Sequence, residues 1–221
     1  MSNLKALILG ILILVPILIL AFVGVFGEHH FTLPTYYPKL DASGKVQYST
    51  QGDTVFHQVP DFDLVSQEGE TFTSADVAGD IYVAHFFSTN CPTRCQQISS
   101  QLVRVQEAFE SKPEVKIVSV TVAPEIDSVE ALQRYAATYG AKEDKWYFLT
   151  GEKQEILKLA REGYYLPEQE VGQQGFTYSD KLVLVDKEGR IRGVYDGTDQ
   201  GEVDRLKTEI NVLLDDYSKR K

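Results

Sequence analysis

At 221 residues the chain is long enough for one ordinary globular domain and hardly for two. Its composition, 43% hydrophobic and 24% charged, is that of a packed protein and excludes a disordered or fibrous chain. The 22 Lys and Arg stand against 32 Asp and Glu for a formal net charge of -10, with no basic run of the kind nucleic acid requires. Two cysteines are too few for a disulfide framework or a four-cysteine zinc site, and both fall in one short stretch.

The first element is apolar. Residues Ala6 to Phe26 carry no charge, and 21 residues of helix at ~1.5 Å each reach about 31 Å, close to the hydrocarbon thickness of a bilayer. A cleaved signal peptide would have a shorter apolar core followed by a small-x-small site. Phe22-Val23-Gly24-Val25-Phe26 fits such a site poorly, so residues 1–27 are read as an uncleaved anchor. Lys5 precedes the span and Glu28 follows it, which keeps the short N-terminus in the cytoplasm and exports the body. The expected location is therefore the cell membrane, single-pass, with the C-terminal domain on the periplasmic or extracytoplasmic side, where a disulfide persists. Residues 28–54, rich in turn formers and tyrosine, read as an extended linker. His29 and His30 read as a polar pair at the end of the span rather than as metal ligands.

From about residue 55 strands and helices alternate. VPDFDLVSQEGETFT is hairpin-like around Gln67–Glu70, and Ile81–Phe87 is a buried strand. Cys91 to about Phe109 has helical spacing at Ile98, Leu102, Val105 and Phe109. A strand at Val115–Val122 and a helix at Ser128–Tyr139, capped by Ser128, come next. Trp146–Leu149 is a short strand and Lys153–Arg161 a helix. A hairpin, Lys181–Asp186 with Arg190–Gly197, and an amphipathic helix from Glu202 to Tyr217 end the chain. Helices between successive strands imply parallel pairs in a central mixed sheet flanked by helices, an α/β thioredoxin-like layout. No internal repeat is read.

The chemistry lies in Asn90-Cys91-Pro92-Thr93-Arg94-Cys95, between a buried strand and a helix. With Cys91 at the N-cap and Pro92 at the first helical position, the helix N-terminus and the Arg94 cation favour a reactive thiolate at Cys91. Cysteines at i and i+4 on a regular helix have Cβ atoms about 5–6 Å apart, wider than the ~3.5–4.5 Å of a disulfide, so closing one needs local distortion. Two thiolates at this spacing also suit a soft ion such as Cu(I). Spacing alone leaves dithiol redox chemistry and soft-metal binding both open.

The sequence resembles the SCO/SenC family, membrane-anchored thioredoxin-like factors for cytochrome c oxidase assembly. The resemblance is carried by the N-terminal anchor, HHFTLPTYYP, VPDFDLVSQEGE, CPTRC after an aromatic strand, VAPEIDSVEALQRYA, KWYFLTG and KLVLVDKEGRIRGVYDGT, in that order. It implies copper as cofactor, held by Cys91 and Cys95 with a distant histidine, and an oxidase subunit or another exported thiol protein as partner. The chain departs from the family at that histidine, whose position is taken by Tyr178. Ala123 also replaces the usual Asp before Pro124, and Gln96 replaces a common Pro after Cys95. A phenol is a poor partner for Cu(I) beside two thiolates. His85 and His57 read as satisfied structural histidines.

Three functions are weighed. The first is copper handling and/or thiol reduction in oxidase assembly, with Cys91 and Cys95 as ligands and catalytic dithiol. The second is a metal-free thiol–disulfide oxidoreductase acting on exported partners, Cys91 attacking and Cys95 resolving. The third, a binding module without chemistry, is disfavoured by intact cysteines in an activating setting. None of them is a metabolic enzyme.

Overall fold

The computed structural model describes residues 3–26, 32–91, 93–166, 168–170, 176–178 and 180–220. They form two compact units, Met1–Thr32 and Leu33–Lys221. In the first, α1 (Asn3–Phe26) is a 24-residue helix with Pro16 inside it and Lys5 as its one charge. Side chains of α1 are described at residues 8, 11–19, 21 and 22; counting described residues alone, no helix is long and apolar enough to cross a membrane. His29 and His30 lie outside the described residues.

The second unit is built on a seven-stranded mixed sheet. Its strands are β1 (Asp63–Ser66), β2 (Thr71–Thr73), β3 (Ile81–Phe87), β4 (Val115–Thr121), β5 (Trp146–Thr150), β8 (Lys181–Val185) and β9 (Ile191–Asp196), in the order β2-β1-β5-β4-β3-β8-β9. The pairs β3–β4 and β4–β5 are parallel and the others antiparallel. A parallel pair needs a crossover, supplied by α2 (Arg94–Ala108) and α3 (Val129–Thr138). Every residue of β3 is buried because helices cover both faces of the sheet, which is why its sequence is apolar throughout rather than alternating.

Alternation still decides which face each side chain joins. Ile81, Val83 and Phe87 pack with α2, α3 and α5 (Gln200–Lys219). Tyr82, Ala84 and Phe86 pack with Ile156 of α4 (Lys153–Lys158) and with Leu159 and Ala160 of the π-helical turn Leu159–Gly163 that continues it. Ser128 caps α3 as expected, its Oγ accepting from Ala131 N at 3.3 Å. A short hairpin not foreseen in the sequence, β6 (Glu168–Glu170) with β7 (Phe176–Tyr178), forms a second, two-stranded sheet.

The first residues of the stretch read above as linker, 33–38, are held against the body. The buried Arg192 guanidinium donates to the carbonyls of Leu33 and Pro34, and Tyr36 N donates to Ile191 O at 2.9 Å. Beyond them the chain makes a small closed ring. Lys39 N donates to Val55 O, Val55 N to Gln47 O and Gln47 N to Lys39 O, at 2.8, 2.9 and 2.8 Å. Positions 39, 47 and 55 are spaced eight apart, and the two turns between them use Gly44 and Gly52 at φ +77° and +88°. The segment thus makes two successive turns of equal length. Its three segments are too short and too polar for hydrophobic periodicity to register.

Candidate functional site

The C-terminal ends of the parallel strands β3 and β4 open into two loops, and the cysteines lie on the first. Cys91 and Cys95 are joined in a disulfide with Cα atoms 5.7 Å apart, inside the usual range of about 4.4–6.8 Å. The expected distortion is found in the backbone. α2 begins only at Arg94, so Cys91 lies before the helix and is not its N-cap. That place belongs to Thr93, whose φ of +55° is uncommon for a β-branched residue and whose side chain makes no capping bond. Pro92 lies outside the described residues. Cys95, in the first turn of α2, is 8% exposed, whereas Cys91 is half-buried. Of the two residues, the one ahead of the helix is the more exposed.

The electrostatic setting differs in part from expectation. The N-terminus of α2 turns its N–H groups toward the disulfide loop with no N-cap side chain to occupy them, which favours a thiolate there. Arg94, however, pairs with Asp180 at 2.9 Å, so its charge is shared with the start of β8. Gln97 Nε2 donates to Thr198 O at 3.0 Å, tying the same turn of α2 to the loop after β9.

Beneath the loop lies a polar network that sequence reasoning missed. Asp127 is fully buried, and its carboxylate accepts from Thr89 N at 3.2 Å and from the hydroxyls of Thr89 and Thr121. Thr121 Oγ1 accepts in turn from Ala123 N at 3.0 Å. Its one sequence signal was the PEID run, which carries the family resemblance without showing burial.

The histidines divide. His57 Nε2 lies 2.8 Å from Gly163 O, a structural bond as expected. His85, in contrast, is 1% exposed, its Nδ1 has no hydrogen-bond partner among the described residues, and burial lowers its pKa to about 3. In register it stands between Ser119 of β4 and Leu182 of β8. Tyr178 closes β7, paired with Glu168, and β7 runs close to β3. Among the described residues no three His, Cys, Asp or Glu side chains are grouped to hold a metal ion. The donors that fit copper chemically are the two cysteine sulfurs, and they become available only when the disulfide is reduced.

Comparison with known proteins gives a consistent assignment. The sequence model of the SCO1/SenC family matches residues 50–214. The "SCO1 protein homolog" of Bacillus subtilis is 26% identical over 161 residues, 72% of this chain and 83% of that protein. A "putative copper-binding protein" of Stutzerimonas stutzeri is 27% identical over 140 residues, 61% of this chain and 67% of that one. Among solved structures, BsSco, described as carrying a disulfide switch and as a member of the Sco family of cytochrome c oxidase assembly proteins, superposes with a TM-score of 0.63. It is 24% identical, and the match covers 71% of this chain and 93% of that one, which shows a shared fold.

Proposed function

The chain belongs to the SCO1/SenC family, and from that premise we propose that it is a membrane-anchored assembly factor whose Cys91–Cys95 pair reduces exported thiol proteins and, once reduced, handles copper as cargo. The observation that carries this reading is the asymmetric pair: a half-buried Cys91 ahead of an uncapped helix N-terminus and a buried Cys95 in the helix's first turn. The electron balance follows from that order. The Cys91 thiolate attacks one sulfur of a partner disulfide, the partner's S–S bond breaks, and a mixed disulfide forms. Cys95 then gives up its proton and attacks Cys91 Sγ. The partner leaves as a dithiol carrying two electrons, and the chain is left with the disulfide found in the structure.

The apolar helix α1, with Lys5 at its start, supports an anchor that leaves the body on the extracytoplasmic side. An oxidase subunit as client is supported by family membership and by the likeness to BsSco, a member of a family of cytochrome c oxidase assembly proteins. A second reading, a metal-free thiol–disulfide oxidoreductase for other exported partners, is favoured by Tyr178 and Ala123 standing where the family resemblance puts a histidine and an aspartate.

Cu(I) competition against a chromogenic chelator, on the full chain reduced in detergent, decides between them. The copper reading predicts one ion per chain, lost in Cys91→Ala, with Tyr178→His tightening binding by at least about tenfold, one added soft-to-borderline ligand. Absence of binding in both the parent and Tyr178→His would remove copper and leave the redox reading.

A further inference from the structure

The disulfide loop from Ser88 to Thr93 is tied within itself at Ser88. Asn90 N donates to Ser88 Oγ at 3.3 Å and Cys91 N to Ser88 O at 3.2 Å, both within the loop. Its N-cap side chain, that of Thr93, makes no capping bond to α2. A tie that reaches from the loop into the core is Asp127, which takes both the N–H and the hydroxyl of Thr89, two residues before Cys91. Asp127 is itself placed by its own N–H, 2.9 Å from Ala123 O, and by Thr121 at the end of β4. The carboxylate therefore joins the loop after β3 to the loop after β4.

This arrangement carries a cost that folding alone does not require. Asp127 is 0% exposed, and no ion pair among the described residues includes it. A buried carboxylate without a cation is unfavourable unless hydrogen bonds satisfy it, and here three donors converge on an acceptor-only group. An apolar residue would fill that volume more cheaply but would leave Thr89 N and two hydroxyls unpaired beneath the cysteine loop.

We propose that Asp127 is a positioning residue for the dithiol: through Thr89 it holds the Cys91 loop in the disulfide-closing arrangement and so sets the equilibrium between the dithiol and the disulfide. This rests on the redox role of the cysteine pair proposed above. Fixing the loop raises the effective concentration of one sulfur at the other, because less loop entropy is lost on closure. Loosening it leaves the reduced form nearly unaffected and disfavours the closed one. The reaction concerned is the exchange of the Cys91–Cys95 disulfide with two molecules of a monothiol. The two new thiols gain the electron pairs, and the monothiol is oxidised to its own disulfide.

The test is equilibration of the detergent-solubilised full chain with glutathione and glutathione disulfide, read as the fraction of paired cysteines by mass after alkylation. Asp127→Ala and Thr89→Val are each expected to lower the equilibrium constant for disulfide closure about tenfold, the scale of one charge-assisted hydrogen bond. Asp127→Asn, which keeps an acceptor oxygen, is expected to return within about threefold of the parent. The double variant Thr89→Val with Asp127→Ala should be no worse than Asp127→Ala alone, since both remove one link. Thr89→Val is isosteric and decides the matter if Asp127→Ala fails to fold. Folded variants whose closure constant equals the parent's would overturn the positioning role and leave Asp127 a purely structural residue. A parent chain whose cysteines never pair across the glutathione range would instead overturn the redox reading on which it rests.

Discussion

Replacing Asp186 by alanine is expected to cost about 3–5 kcal/mol, a large share of the ~5–15 kcal/mol that holds a domain of this kind together. Asp186 is 1% exposed and sits at the β8–β9 turn, where its Oδ1 accepts from Glu188 N and Arg190 N. Its Oδ2 accepts from Arg190 Nε at 3.0 Å and from Arg192 NH1 at 2.9 Å. Arg192 is 4% exposed and also donates to Leu33 O and Pro34 O, fastening the start of the second unit. Loss of the carboxylate strands a guanidinium where water does not reach. Arg192→Met should cost less, about 1–3 kcal/mol, because Arg190 still pairs with Asp186 and the methionine refills the volume. Urea unfolding of the two variants checks the order; equal losses, or a larger one in Arg192→Met, would contradict the account.

The second large effect is acid sensitivity from His85. Its pKa in the folded chain is lowered to about 3 by burial, from an ordinary value of 6.5. Below pH 6.5 the unfolded chain takes up a proton that the folded chain refuses until near pH 3, so the unfolded state binds more protons and stability falls with falling pH. The slope is about 1.4 kcal/mol per pH unit, or roughly 2–3 kcal/mol between pH 6.5 and 4.5. His85→Leu removes both the titration and the unpartnered Nδ1. Denaturation midpoints measured across that range should flatten in the variant by this amount. Parallel acid limbs in parent and variant would mean that other groups govern the loss.

What was legible in the sequence follows from how each element is stabilised. β3 was read at its observed bounds because a strand covered on both faces is apolar at every position. α3 was found through Ser128, a cap whose chemistry is local. The start of α2 was placed too early, at Cys91. Helical periodicity registers the buried face at Ile98, Leu102 and Val105 but cannot show that a disulfide draws Cys91 off the helix. In the hairpin β6–β7, Glu168-Gln169-Glu170 has weak strand propensity, and Phe176-Thr177-Tyr178, though made of strand formers, is too short a run to stand out alone. The ring at residues 39, 47 and 55 is closed by backbone bonds, and the turn residues that support it, Asp41 with Gly44 and Ser49 with Gly52, look in sequence like those of any loop.

The same division holds for the site. Cys91 and Cys95 were recognisable from spacing and from the strand and helix around them. The burial of Asp127 and its hold on Thr89 were not, because a carboxylate in a polar loop looks like a solvated one until two loops are brought together. Arg94 was rightly seen beside the cysteines, but its partner Asp180 is distant in sequence.

The central claim is that Cys91 attacks and Cys95 resolves. Incubating reduced full-length Cys95→Ser with a disulfide-bonded two-cysteine peptide, and analysing the products by mass under non-reducing conditions, tests it directly. The account predicts one peptide per chain held as a stable mixed disulfide on Cys91, with little or no adduct on Cys91→Ser under the same conditions. Equal or preferential trapping by Cys91→Ser, through Cys95, would contradict it.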